Sequence, residues 1–203
     1  MIIKVCGMRE GTNIRAVESL GIDWMGLIFW PRSGRYVSER PDYLPRQAKR
    51  VGVFVDEDPE TIKQIAEDYA LDLIQLHGHE SPEQISHLSP LTSYLSIIKA
   101  FSIATAEDLA QVSAYEGVVD YFLFDTKGPS VGGNGTQFDW QVLAHYHGQT
   151  PFLLSGGIGP EDAERIRAFH HPQCIGIDLN SRFELSPGLK DVNKLKTFLQ
   201  KIM

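Results

Sequence analysis

Apolar runs of strand length recur along the chain, bounded by turn-forming residues and separated by stretches whose apolar positions fall three and four apart. The runs are IIKVC (2–6), WMGLIF (24–29), VGVFV (51–55), LDLIQLH (71–77), YLSIIKAF (94–101), DYFLFDT (120–126), TPFLLS (150–155) and CIGIDL (174–179). Helical spacing is clearest at Ile62, Ile65, Ala66 and Tyr69, and again at Val192, Leu195, Leu199 and Ile202. Gly21 stands where a helix C-cap belongs, and Gly159-Pro160 opens a helix before EDAERI. The stretch 104–115 is weaker, with only Leu109 and Val112 as firm anchors. Such alternation predicts βα units on a parallel sheet. Eight strands, each followed by a helix, predict an α/β chain folded as a (βα)8 TIM barrel, a single domain over residues 1–203. That is shorter than the usual barrel of about 250 residues. An open doubly wound sheet is the alternative, and no GxGxxG follows the first strand to support it.

Because strand side chains alternate, the pattern also assigns directions. Ile3 and Val5 suit the helix-covered outside, which leaves Lys4 and Cys6 facing the barrel interior. In the last run Ile175, Ile177 and Leu179 point out, so Gly176, Asp178 and Asn180 point in. The same logic turns Gln75, His77, Leu123 and Asp125 inward, and Lys99 as well if Ile98 faces out. Cys6, His77, Asp125 and Asp178 fall at the C-terminal ends of their strands, the end where barrels place their chemistry. Cys174 opens its strand and belongs at the opposite end.

Composition narrows the function classes. At 42% hydrophobic and 22% charged residues the chain reads as an ordinary soluble globular protein. A net charge of −7, with no basic run, argues against nucleic-acid binding. No apolar run approaches the roughly 18 residues of a membrane span, and no signal-peptide pattern is present. Two cysteines, with no CxxC and no zinc-ligand spacing, read as reduced thiols in a cytoplasmic protein rather than a disulfide or a metal site. Cys6 is then either a small buried hydrophobe or a thiolate made reactive by cations such as Lys4.

The loops at the same end carry further polar groups. Asp125, directly after four apolar residues, is an acid/base group or one half of a salt bridge. Asp178 can pair with Lys4 across the closing strands. LLSGGIGPED and IGIDLNSRFE end the seventh and eighth runs, where barrels build phosphate sites from glycine-rich loops. In WPRSGRYVS, Arg32 and Arg35 are carboxylate clamps or solvated loop charges. The segment 127–140 is glycine-rich and reads as a lid.

Taken together, KVCGM, FWPRSGRYVS, VGVFV, LIQLHG, IKAF, FLFDT, GGNGTQFDW, LLSGGIGPED and GIDLNSRFELSPGLKD resemble the phosphoribosylanthranilate isomerase family, in order and nearly end to end. The resemblance implies a (βα)8 barrel in tryptophan biosynthesis. Its reaction is the Amadori rearrangement of N-(5-phosphoribosyl)anthranilate, performed without cofactor or metal on a small phosphorylated substrate. It also implies Cys6 as general base, Asp125 as general acid and Arg35 as the group holding the anthranilate carboxylate. Gly156, Gly157, Asn180 and Ser181 would bind the phosphate, with His77 and Asp178 facing the same substrate. One departure stands out: the family usually has glycine after the serine of the last loop, and here Arg182 occupies that place and brings a charge toward the phosphate. Partner enzymes are not legible. Two rival readings differ in chemistry. One is a metal-dependent phosphosugar isomerase or epimerase built on His77, Asp125 and Asp178, and the other is a non-catalytic barrel that binds a phosphorylated ligand.

Overall fold

The computed structural model describes residues 1–88, 94–127 and 137–202. Eight strands form a closed barrel in chain order. They are β1 (Ile2–Val5), β2 (Trp24–Ile28), β3 (Lys49–Phe54), β4 (Leu73–Leu76), β5 (Ser96–Ile103), β6 (Tyr121–Thr126), β7 (Phe152–Leu154) and β8 (Cys174–Leu179). All pairings are parallel, and β8 closes on β1 with Lys4 opposite Asp178. Each apolar run of the sequence holds one strand, and the predicted barrel is the observed fold.

Helices α1 (Gly11–Glu18), α2 (Pro59–Tyr69), α3 (Pro82–Leu88), α4 (Ala163–Ala168) and α5 (Val192–Ile202) cover the outside. The Asp58 side chain caps α2 by accepting from Thr61 N–H, with Pro59 at the first helical position. Ile62 and Ala66 of its predicted stripe are buried against the sheet. The expectation of a helix after every strand is corrected in three places. Residues 29–48, between β2 and β3, contain no helix; Pro31, Pro41 and Pro45 interrupt that stretch, each removing a donor and disfavouring helix before it. Segments Ala106–Tyr115 and Trp140–His145, after β5 and β6, are 3₁₀ rather than α. Leu109 and Val112 are both buried, and their spacing of three is what a 3₁₀ turn superposes. After β8 the chain forms a small antiparallel hairpin, β9 (Glu184–Ser186) and β10 (Leu189–Lys190), before α5.

Two apolar layers hold the barrel. The larger lies between strands and helices and includes Ile3, Val5, Phe54, Ile74, Phe122, Phe124 and Phe152. The smaller fills the inside with Trp24, Val51, Leu73, Ile98, Ala100, Leu123 and Leu153. Trp24 meets Tyr121 edge to face there, at 5.3 Å between centroids. This inner plug occupies the lower half of the barrel and leaves the upper half for polar groups. It also settles Lys99: Ile98 and Ala100 point in, so Lys99 points out, and the condition for an inward Lys99, an outward Ile98, is not met. Its ammonium is buried behind the sheet, on Glu80 Oε2 at 2.9 Å and the Gly78 carbonyl at 2.8 Å.

Candidate active site

Polar side chains converge just above the inner plug. Cys6 directly follows β1, and its N–H still donates to Leu179 O at 2.9 Å, so the thiol keeps the inward direction of the strand. β2 leaves room for it: a Cβ at Gly26 would lie 2.6 Å from Cys6 Sγ and 3.0 Å from its Cα. Only glycine fits there. Lys4, one inward position below, is fully buried and donates to Asp178 Oδ1 at 2.8 Å. Ser155 Oγ donates to the other Asp178 oxygen at 3.1 Å. The pairing that strand alternation allowed between Lys4 and Asp178 is present, so Asp178 faces the cavity as a carboxylate already tied to the wall.

The charge balance around the thiol differs from the sequence-based expectation. Burial pushes Cys6 above its ordinary thiol value and outweighs the downward pull of Lys4 and Lys190, with Asp178 adding to the rise. Lys4 is the counterpart. Burial works against its charge, but Asp178 and Cys6 more than offset that, and the ammonium is held above its usual range.

Asp125 stands on another wall of the cavity, at the end of β6. Its Oδ1 accepts from Thr126 N–H at 2.8 Å, and Oδ2 lies 3.5 Å from His77 Nε2. Gln75, two residues before His77 on the same inward face, donates its amide N–H to His77 Nδ1 at 3.1 Å. Gln75 Oε1, His77 Nε2 and Thr126 Oγ1 are buried and have no protein hydrogen-bond partner. All three belong to residues that line the cavity.

The loops after β7 and β8 form one end of the site. Gly156 and Gly157 have φ of +90° and +67°. A Cβ on Gly156 would fall 2.2 Å from Thr126 Oγ1 and 2.5 Å from Thr126 N, so the loop lies directly on β6. Gln137 donates to the Gly157 carbonyl at 3.0 Å and ties the end of the glycine-rich segment to this loop. The body of the proposed lid, residues 128–136, lies outside the described residues.

The other end is built by the helix-free stretch after β2, which carries Trp30, Ser33 and Arg35 into the wall. Arg35 is not a free clamp. Its Nε and Nη2 grip Glu184 at 2.8 and 2.7 Å, with Lys190 on the same carboxylate at 2.6 Å. Burial alone would raise Glu184, yet Arg35 and Lys190 hold it below the usual carboxylate range. Glu184 and Lys190 escaped the residue-level reading, although both lie in the quoted FELSPGLKD. No periodicity marks them, because β9 and β10 are three and two residues long, too brief to register as strands.

Cys6, Arg35, His77, Asp125, Gly156, Gly157, Asp178, Asn180 and Ser181 all line one cavity of about 740 Å³, open mouth included. Arg182 does not. Its guanidinium pairs with Glu161 on the neighbouring loop and is nearly half exposed. Among the described residues no group of three or more His, Cys, Asp or Glu side chains is arranged to hold a metal ion, and no helix is long and apolar enough to cross a membrane.

A family model described as N-(5'phosphoribosyl)anthranilate (PRA) isomerase matches residues 3–201. The N-(5'-phosphoribosyl)anthranilate isomerase of Parabacteroides distasonis is 54% identical, covering all of this chain and 94% of that protein. The crystal structure of phosphoribosyl anthranilate isomerase from Thermotoga maritima superposes with a TM-score of 0.82 at 30% identity, covering 100% of this chain and 98% of the other. A crystal structure of the isomerase in complex with reduced 1-(o-carboxyphenylamino)-1-deoxyribulose 5-phosphate matches at 28% identity and TM-score 0.79, again over 100% and 98% of the two chains. With the barrel, the cavity and these similarities in agreement, the chain belongs to the N-(5'-phosphoribosyl)anthranilate isomerase family.

Proposed function

We propose that Cys6 and Asp125 are the general base and general acid of this isomerase. Its reaction is the Amadori rearrangement of N-(5-phosphoribosyl)anthranilate to 1-(2-carboxyphenylamino)-1-deoxyribulose 5-phosphate in tryptophan biosynthesis. The observation that carries the assignment is the placement of the two groups on separate walls of one cavity, with Cys6 on β1 and Asp125 on β6. Asp125 gives a proton to the furanose ring oxygen, the C1–O bond breaks, and the anthranilate nitrogen lone pair closes to an iminium. Cys6 then takes the proton from C2, and those electrons neutralise the iminium to give an enol with an amine at C1. Movement of the enol proton to C1 yields the ketone. The cation adjacent to C2 acidifies that proton, so a modest base suffices.

Active enzyme needs the proton on Asp125 and the negative charge on Cys6. Lys4 favours that charge against the cost of burial. His77, beside Asp125 Oδ2, offers its Nε2 to the same end of the sugar. Gln75 Oε1 and Thr126 Oγ1 supply unpartnered polar atoms for sugar hydroxyls. The backbone of Gly156 and Gly157, with Asn180 and Ser181, takes the phosphate. The anthranilate carboxylate meets Arg35, whose orientation Glu184 fixes. A metal-centred reading would need Asp178 as a ligand, and Asp178 is committed to Lys4 and Ser155.

The test is turnover of fluorescent phosphoribosylanthranilate in metal-free buffer. Cys6→Ala and Asp125→Asn are expected to lower kcat by about 10²–10⁴, with Cys174→Ala close to wild type. Equal activity of Cys6→Ala and Cys174→Ala would overturn the assignment.

A further inference from the structure

Lys190 has no part in the scheme above, yet its side chain is fully buried, an unusual place for a cation. It sits on the β9–β10 hairpin and does not line the cavity. Its Nζ donates to Glu184 Oε1 at 2.6 Å and to Asn180 Oδ1 at 2.9 Å. The hairpin delivers it next to the base: a Cβ placed on Gly7, the residue after Cys6, would meet Arg35 Cδ at 2.6 Å, Asn180 Oδ1 at 2.8 Å and Lys190 Nζ at 3.4 Å.

The charges then fail to cancel. Lys4 and Asp178 are one cation and one anion. Arg35, Lys190 and Glu184 are two cations sharing one anion, and the Glu184 carboxylate is saturated, since Gly188 N–H also donates to it at 3.1 Å. The groups facing the thiol are therefore Lys4 from β1, Asp178 from β8, Lys190 from β10 and Arg35 from the stretch after β2. Asp125 and His77 stand on the other wall. Burial pulls Lys190 below the usual lysine range, while Glu184 and Cys6 work to keep its proton; with that ammonium charged, one positive charge is left over, and it lies beside Cys6.

We propose that Lys190 is a positioning residue for catalysis, the surplus buried cation of an Arg35–Glu184–Lys190 cluster that favours the thiolate form of Cys6. The inference rests on the reading of Cys6 as base. A purely structural ion pair would matter for folding alone and would leave the titration of the thiol where it was.

Cys6 is labelled with ¹³C at Cβ in a Cys174→Ala background, and its chemical shift is followed against pH, together with the pH profile of kcat/KM. In Lys190→Met the thiol titration is expected to move up by about one pH unit or more, and kcat/KM below that titration to fall about tenfold per unit of the move, because less thiolate is present. Lys190→Arg should restore both. Lys190→Gln removes the same charge and serves where Lys190→Met does not fold. A thiol titration that stays in place in both variants overturns the proposal. A titration that moves while kcat/KM below it does not would uphold the charge effect and sink Cys6 as the base.

Discussion

Two of the buried lysine–carboxylate pairs, one on each side of the barrel wall, are nearly equal in length and do different things. Lys4 meets Asp178 at 2.8 Å inside the barrel, and Lys99 meets Glu80 at 2.9 Å between the sheet and the outer layer. All four groups are at least nine-tenths buried. The outer pair is closed on itself. Lys99 also donates to the Gly78 carbonyl, and Glu80 accepts from Asp56 N–H and Gly78 N–H, so the cluster clamps the turn after β4. The inner pair is open: Asp178 lines the cavity, and Lys4 sits one inward position below Cys6. A buried ion pair is thus no marker of chemistry by itself. What matters is whether its unspent field falls on backbone or on a group that must change charge.

That contrast can be broken directly. The largest effect is expected for Lys4→Met against Lys99→Met. Both should cost about 3–5 kcal/mol, because each strands a buried carboxylate. Only Lys4→Met should also lower kcat per folded molecule, by at least tenfold. Urea unfolding followed by turnover at matched folded fraction separates the two, and a comparable kcat loss in Lys99→Met would erase the distinction.

A second comparison stays inside the cavity. Asp178→Asn should lose more stability than Asp125→Asn, because it leaves Lys4 charged and unpaired, whereas Asp125→Asn should lose more turnover. Thermal unfolding and steady-state kinetics on the two proteins would expose an exchange of roles. Gly26→Ala comes next in size. Its new methyl collides with the thiol and with Cys6 Cα, for a cost of about 1–3 kcal/mol and a displaced base.

The smallest effect is acid sensitivity of the Arg35–Glu184–Lys190 cluster. Glu184 has a folded-state pKa below its ordinary one, so its contribution to stability is complete above the unfolded value, near pH 4.3. It is lost as pH falls from there through the folded value. Glu184→Gln should flatten that part of the stability curve, and urea midpoints between about pH 5 and pH 3 would reveal it. An unchanged slope would mean that Glu184 binds its proton equally in both states.

Much of this was legible in the sequence, and the gaps have physical causes. Alternation placed Lys4, Cys6, Asp125 and Asp178 correctly because each lies on or directly beyond a strand whose other face is continuously apolar. It could not orient Lys99, since YLSIIKAF is apolar on both faces and one residue of slippage inverts it. The helix expected between β2 and β3 failed because proline chemistry overrode the architectural average. Glu184 and Lys190 were invisible as site residues because their contacts come from a hairpin that turns back over Gly7, a tertiary fact with no local period. Arg182 has the right position in sequence for the phosphate loop, but Glu161 holds it at the rim.

The register of β1 on β8 has a further consequence, for the order of assembly. Lys4 and Asp178 are 174 positions apart, so the pair that borders the base is among the most distant contacts the chain makes. Contacts of such separation close late. On a ribosome, β1 emerges first with a lysine on its inward face and cannot bury it until the eighth strand arrives. Short of that point Lys4 lacks the Asp178 carboxylate, and Cys6 lacks Asp178 and Lys190. The enzyme therefore acquires its chemistry in the same step that closes the ring, and a partly folded chain presents an open sheet edge but no working thiol.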